Sequence, residues 1–133
     1  MKLPAALQAR VRDTMKGKAS PMPREHARSK LEQEWERRWA LLSGPALAAE
    51  YRFHPVRLWR LDFAHIESRV GIELHGGTWV KGRHTRGGGF AADREKINAA
   101  QLQGWLVLEF CAATWEAIRQ AMDAIAKRME AQR

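Results

Sequence analysis

The stretch LWRLDFAHIESRVGIELH, residues 58–75, reads as two strands joined by a tight turn. Trp59, Leu61 and Phe63 alternate with Arg60 and Asp62, and Ile72 and Leu74 alternate with Glu73 and His75, which is the period of a pleated strand. The interval 66–68 is short enough for a hairpin, so strands over 58–64 and 69–75 pair antiparallel. Alternation then turns Asp62 to the opposite face from Leu61 and Phe63, and Glu73 to the opposite face from Ile72 and Leu74.

Working outward, 51–54 supplies an earlier strand, connected through Pro55 and Val56, and completes a three-strand meander. Upstream, Ser29 precedes Glu32 by the spacing of a capping box. Leu31, Trp35, Arg38, Trp39 and Leu42 then recur at helical intervals until Ser43, Gly44 and Pro45 stop them. Downstream, 76–89 holds six glycines in fourteen positions together with Lys81, Arg83, His84 and Arg86, which reads as a mobile basic loop. A helix is expected over about 90–103, closed by Gly104. The apolar run 105–110 is a strand, and 115–129 is an amphipathic helix whose Lys127 and Arg128 favour the negative end of its dipole. The expected order is helix, three-strand antiparallel meander, helix, strand, helix: an α/β fold with a mixed central sheet flanked by helices.

The chain of 133 residues suits one domain with one core. A hydrophobic fraction of 45% beside 29% charged residues is the balance of a soluble globular protein. No run approaches the length of a bilayer span, and Lys2, Arg10, Arg12 and Asp13 interrupt any apolar leader, so no membrane association and a cytoplasmic setting are expected. The one cysteine, Cys111, follows an apolar run and reads as a buried, inert thiol. The formal net charge is +8. Residues 1–30 carry eight Lys or Arg against Asp13 and Glu25. Pro4, Gly17, Ser20, Pro21 and Pro23 break this region, leaving room for a short helix around 4–16. It reads as a basic arm over 1–28, ahead of a folded domain over 29–133. Such an excess favours a polyanion, with nucleic acid the leading partner class.

Asp62 and Glu73 draw attention because a carboxylate in an apolar strand is costly unless paired or bound to a cation. On one face of a hairpin they suit a hard divalent cation, with the Leu74 carbonyl as a third oxygen ligand. Ion pairing with Arg57, Arg60 or Arg69 explains them equally well from spacing alone. His75 shares the face of Glu73 and reads either as a proton-transfer or phosphate-contact group or as a hydrogen-bonded strand-end histidine. Lys96 lies on one helical face with Asp93, beside Glu95 and Asn98, the pattern of a solvated ion pair. His54, His65, His75 and His84 lack zinc-site spacing, and neither a GxxxxGK[ST] loop nor a GxSxG elbow occurs, which excludes structural zinc, ATPase and serine-hydrolase readings. Of the tryptophans, Trp35, Trp39, Trp59, Trp105 and Trp115 read as core, while Trp79 in the glycine-rich loop is a candidate for base stacking. Trp115 and the final helix offer a face for a possible homodimer.

Four blocks carry a resemblance: RFHPVRLWRLDFA (52–64), VGIELHGGTW (70–79), GRHTRGGGFAADREKINAA (82–100) and GWLVLEF (104–110). Together they resemble the small nucleases of the PD-(D/E)XK, restriction-endonuclease-like superfamily, of the very-short-patch-repair-like and phage- or prophage-borne kind. The likeness spans about residues 29–112. It implies a metal-dependent endonuclease that hydrolyses phosphodiester bonds in DNA, possible substrates including branched or phage-related DNA, with Mg2+ as cofactor and Mn2+ able to substitute. Asp62 matches the first acidic motif and Glu73 the acid of the ExK-type motif, making both metal ligands. Glu32, in SKLEQEW, resembles the helix glutamate that approaches the metal in such proteins. Two positions depart from the pattern: Leu61 stands where the superfamily has proline, and His75 where it has lysine. Either His75 or Lys96, in DREK, takes the lysine's role. Lys81, Arg83, His84 and Arg86 then contact phosphate. A nucleic-acid-binding module that keeps this fold without turnover, and a basic assembly protein with ion-paired acids, are the alternatives.

Overall fold

The computed structural model describes residues 28–76 and 88–133. The elements are α1 (Lys30–Leu41), β1 (Ala48–Arg52), β2 (Arg60–His65), β3 (Val70–Leu74), α2 (Gly88–Leu102), β4 (Leu106–Phe110) and α3 (Trp115–Ala131). They form a four-stranded mixed sheet in the order β1-β2-β3-β4, antiparallel from β1 to β3 and parallel between β3 and β4. The expected order of elements is therefore the one found. Among the described residues, no helix is long and apolar enough to cross a membrane.

Local chemistry sets the boundaries. The Ser29 hydroxyl caps α1 by accepting from the Glu32 amide at 3.2 Å, half of the capping box, while its hydroxyl proton reaches the Glu32 carboxylate. Thr114 caps α3 through the Ala117 amide at 3.0 Å. Gly104, with φ of 90°, closes α2 in the left-handed region that glycine enters without strain. The β2–β3 turn is built by His65, whose Nδ1 faces the Ser68 hydroxyl at 2.8 Å, and by Arg69 at φ 55°.

Two apolar layers sandwich the sheet. On one side α1 and α3 bring Trp35, Trp39, Ile118 and Ile125 onto Phe63, Val70, Ile72 and Leu74. On the other, α2 lays Ile97 and Ala100 over Leu61, Ala64, Trp105 and Val107. A methyl at Gly71 of β3 would stand 2.6 Å from Leu61 Cδ1, so glycine is what lets Leu61 lie across the strand beneath α2. Arg128 of α3 donates to the Gly104 carbonyl at 2.8 Å, fastening the end of that helix to the start of β4.

Three expectations need correction. The first strand lies at Ala48–Arg52, so Phe53 and His54 fall beyond it. The unpromising Ala48, Ala49 and Glu50 are drafted into it by pairing with β2, which overrides their weak strand preference. Cys111 is exposed: β4 ends at Phe110, and the thiol sits on the turn toward α3. Among the tryptophans, Trp35, Trp39 and Trp105 are core, but Trp59 is half-buried and Trp115 is exposed at the surface.

Candidate active site

The sheet changes face at Asp62. Pairs Ala49↔Phe63 and Tyr51↔Leu61 flank the position where Glu50 stands opposite Asp62, and Glu50 has φ of 48°. Phe63 packs with α1 and α3, whereas Leu61, two residues away, packs with α2. Strict alternation would place both on one face, so the expectation that Asp62 opposes Leu61 and Phe63 together is corrected: it occupies the kink between them. Beyond the pair Phe63↔Ile72, side chains replace main chain in the ladder between β2 and β3. The Leu74 amide donates to Asp62 Oδ2 at 2.7 Å, and the Asp62 amide donates toward Glu73 Oε1 at 3.3 Å. The two carboxylates thus share the opening between β2 and β3.

From α2, Lys96 Nζ reaches Glu73 Oε1 at 2.9 Å, with the lysine and glutamate side chains only 17% and 7% exposed. Lys96 is accordingly not a solvated partner of the acids on its own helix. The arginines that the sequence offers as partners for the strand acids are engaged elsewhere: Arg57 with Glu95, Arg60 with Glu50, and Arg69 with the Gln103 carbonyl.

Burial, then the neighbouring Asp62 charge, push the Glu73 carboxyl up to about 7, against the opposing pull of Lys96. Burial also raises Asp62, against the Leu74 amide and the charges of Lys96 and His75. Glu32, on the first turn of α1, is raised by burial and by the charges of Asp62 and Glu50, which locates it at the edge of the same acidic field. His75 sits close enough for its charge to act on Asp62, but its Nε2 faces Glu109 Oε1 at 3.0 Å, with Arg94 Nη2 on the same oxygen at 3.1 Å. Burial pushes Glu109 up, and hydrogen bonds from His75 and Arg94 outweigh it and hold the carboxyl below its usual range.

Register aligns these acids. Glu50 lies opposite Asp62, Asp62 adjoins Glu73, and Glu73 pairs with Glu109, giving one acid per strand in a single row across the sheet. Sequence reading singled out the middle two. Glu109 and its partner Arg94 were missed, although Glu109 carries the same signal as Glu73, an acid inside an apolar strand run. Glu50 was hidden because its strand was placed too late in the chain. Lys81, Arg83, His84, Arg86 and Trp79, with most of the basic arm, lie outside the described residues.

Asp62 and Glu73 each keep one carboxylate oxygen that accepts no hydrogen bond among the described residues. Hard oxygens, two ionisable groups raised by burial and close proximity fit a small dication that retains several waters. They do not form a closed protein cage: among the described residues, no three His, Cys, Asp or Glu side chains come together as a metal cluster. Comparison with protein-family models, curated proteins and solved structures returns no match.

Proposed function

We propose that the chain is a metal-dependent endonuclease acting on DNA, built on a PD-(D/E)XK core, with Asp62, Glu73 and the Leu74 carbonyl holding Mg2+. The observation that carries the reading is a buried pair of acids where β2 and β3 diverge, with a lysine from the next helix 2.9 Å from the second acid. The order of helix, meander, helix and strand agrees with the core that the sequence resemblance implies. When bound, such a cation lowers the pKa of a water and neutralises charge building on the phosphate. Lys96 keeps an ammonium beside Glu73, positioned to hold a phosphate oxygen or orient the attacking water. That assigns the motif lysine's role to Lys96 rather than His75, whose ring is engaged with Glu109. Glu32, which feels the charge of Asp62, belongs to the same proposal as the helix glutamate beside the metal. The net charge of +8 supports DNA as partner, and phosphate contacts assigned to Lys81, Arg83, His84 and Arg86 belong to the same proposal.

One observation favours a binding module without turnover: the Lys96 ammonium already offsets the charge of the acid pair without any metal. Cleavage of supercoiled plasmid and of a synthetic four-way junction in Mg2+, Mn2+ or EDTA, beside Asp62→Ala and Glu73→Ala, decides between them. Cutting that requires metal and both acids is expected. Tight DNA binding with no cutting in either metal would establish the module instead.

A further inference from the structure

We infer that the outer edge of β4 and the exposed stripe of α3 form a two-fold interface with a second copy of this chain. Among the described residues, β4 is the last strand of the sheet, paired on one side with β3. Leu106 donates to the Arg69 carbonyl and His75 to the Phe110 carbonyl, so the even-numbered residues of β4 bond toward β3. In a parallel pair, this turns the amides and carbonyls of Val107 and Glu109 outward, toward the free edge. Beside that edge runs a groove of about 620 Å³, lined by Leu106 and Leu108 below and by Glu116, Arg119, Asp123 and Lys127 of α3 above.

The order of charges along α3 identifies the occupant. Glu116, Arg119, Asp123 and Lys127 recur on one helical stripe, acid and base reading as minus, plus, minus, plus. Placed antiparallel against itself about a two-fold axis near Ala121 and Met122, the stripe sets Glu116 beside Lys127 of the partner subunit and Arg119 beside Asp123 of the partner subunit. Every such pair is then attractive. The strand edge obeys the same axis. Arg128 reaches Gly104 just before β4, while α3 begins at Trp115 just past its end. Fourteen helical residues rise about 21 Å and seven extended ones span about 23 Å, so the middle of β4 lies beside the middle of α3.

An antiparallel pairing centred on Leu108 sets Val107 against Glu109 of the partner subunit, so that no two acids face each other. The result is one continuous eight-stranded sheet. The two Glu73 positions lie on one face of it, three strand spacings across and two residues along the strands from each other, or about 16 Å apart. The pairing does not depend on the nuclease reading.

The test is sedimentation equilibrium of the full chain in EDTA at physiological salt, with Glu116→Lys, Lys127→Glu and the double variant alongside. All the changes are on exposed helical positions, so folding is retained. The expected result is a wild-type dimer that each single reversal weakens by about tenfold or more, since two symmetric pairs turn repulsive. The double variant, and an equimolar mixture of the two single variants, regain it because opposite charges face each other again. A monomeric wild-type protein at high micromolar concentration, or single reversals that dimerise as the wild type does, would overturn the inference.

Discussion

Replacing Glu73 by glutamine tests the electrostatics of the site without relying on catalysis. Glutamine keeps an oxygen for Lys96 and for the Asp62 amide and removes only the charge. The folded value of this carboxyl, about 7, lies above its ordinary 4.5, so between those pH values the folded protein binds more protons than the unfolded chain. Stability from this group is complete below pH 4.5 and is lost as pH rises through 7. Carried in full, that rise corresponds to about 3 kcal/mol at pH 8. Relaxation of the neighbouring Asp62 charge leaves the measurable difference between about 1 and 3 kcal/mol. The assay is urea unfolding at several pH values from 5 to 8, each extrapolated to water. Relative to the wild type, Glu73→Gln is expected to gain stability steadily across that range and to be most favoured at pH 8. A constant difference between the two proteins would show that Glu73 ionises normally and would refute the account of its burial.

Lys96→Met leaves Glu73 and Asp62 without their ammonium, so stability at pH 8 should fall by about 3 kcal/mol. Millimolar Mg2+ should then raise the Tm of this variant more than that of the wild type, and equal shifts would argue against a cation at the acid pair. Gly71→Ala presses a methyl against Leu61, and a loss of about 1 to 3 kcal/mol in chemical unfolding is expected; unchanged stability would mean Leu61 has room to move. Removing residues 1–28 should flatten the salt dependence of DNA affinity by about 0.9 for each phosphate that the arm neutralises, whereas an unchanged slope would assign binding to Lys81, Arg83, His84 and Arg86 instead.

The hairpin of β2 and β3 was legible because Ile72, Glu73 and Leu74 obey a strict period of two, α1 because Leu31, Trp35 and Trp39 recur at helical spacing behind the Ser29 cap, and α3 because its run is amphipathic and ends in Lys127 and Arg128. What escaped was whatever depends on an exception. The kink at Asp62 needs Glu50 in the left-handed region, and nothing local in the run AAEYR marks that residue for it. Lys96 could be nominated from the sequence, but its partner could not, since Glu73 lies on a different element. Its own helix offered Asp93 and Glu95 as simpler explanations. Glu109 was readable by the same rule that found Glu73, an acid inside an apolar strand run.

The row of acids also guards the assembly of the sheet. Were β3 to slip by one residue against its neighbours, Glu73 would exchange faces with Ile72 and Leu74 and drive its carboxylate among Trp35 and Ile118. A slip of β4 would do the same with Glu109 in place of Leu108. Misaligned sheets are thereby penalised by several kcal/mol of unpaired buried charge. The residues that would do chemistry act during folding as proofreaders, and a variant that neutralises them is freer to adopt the wrong alignment even where it gains stability in the right one.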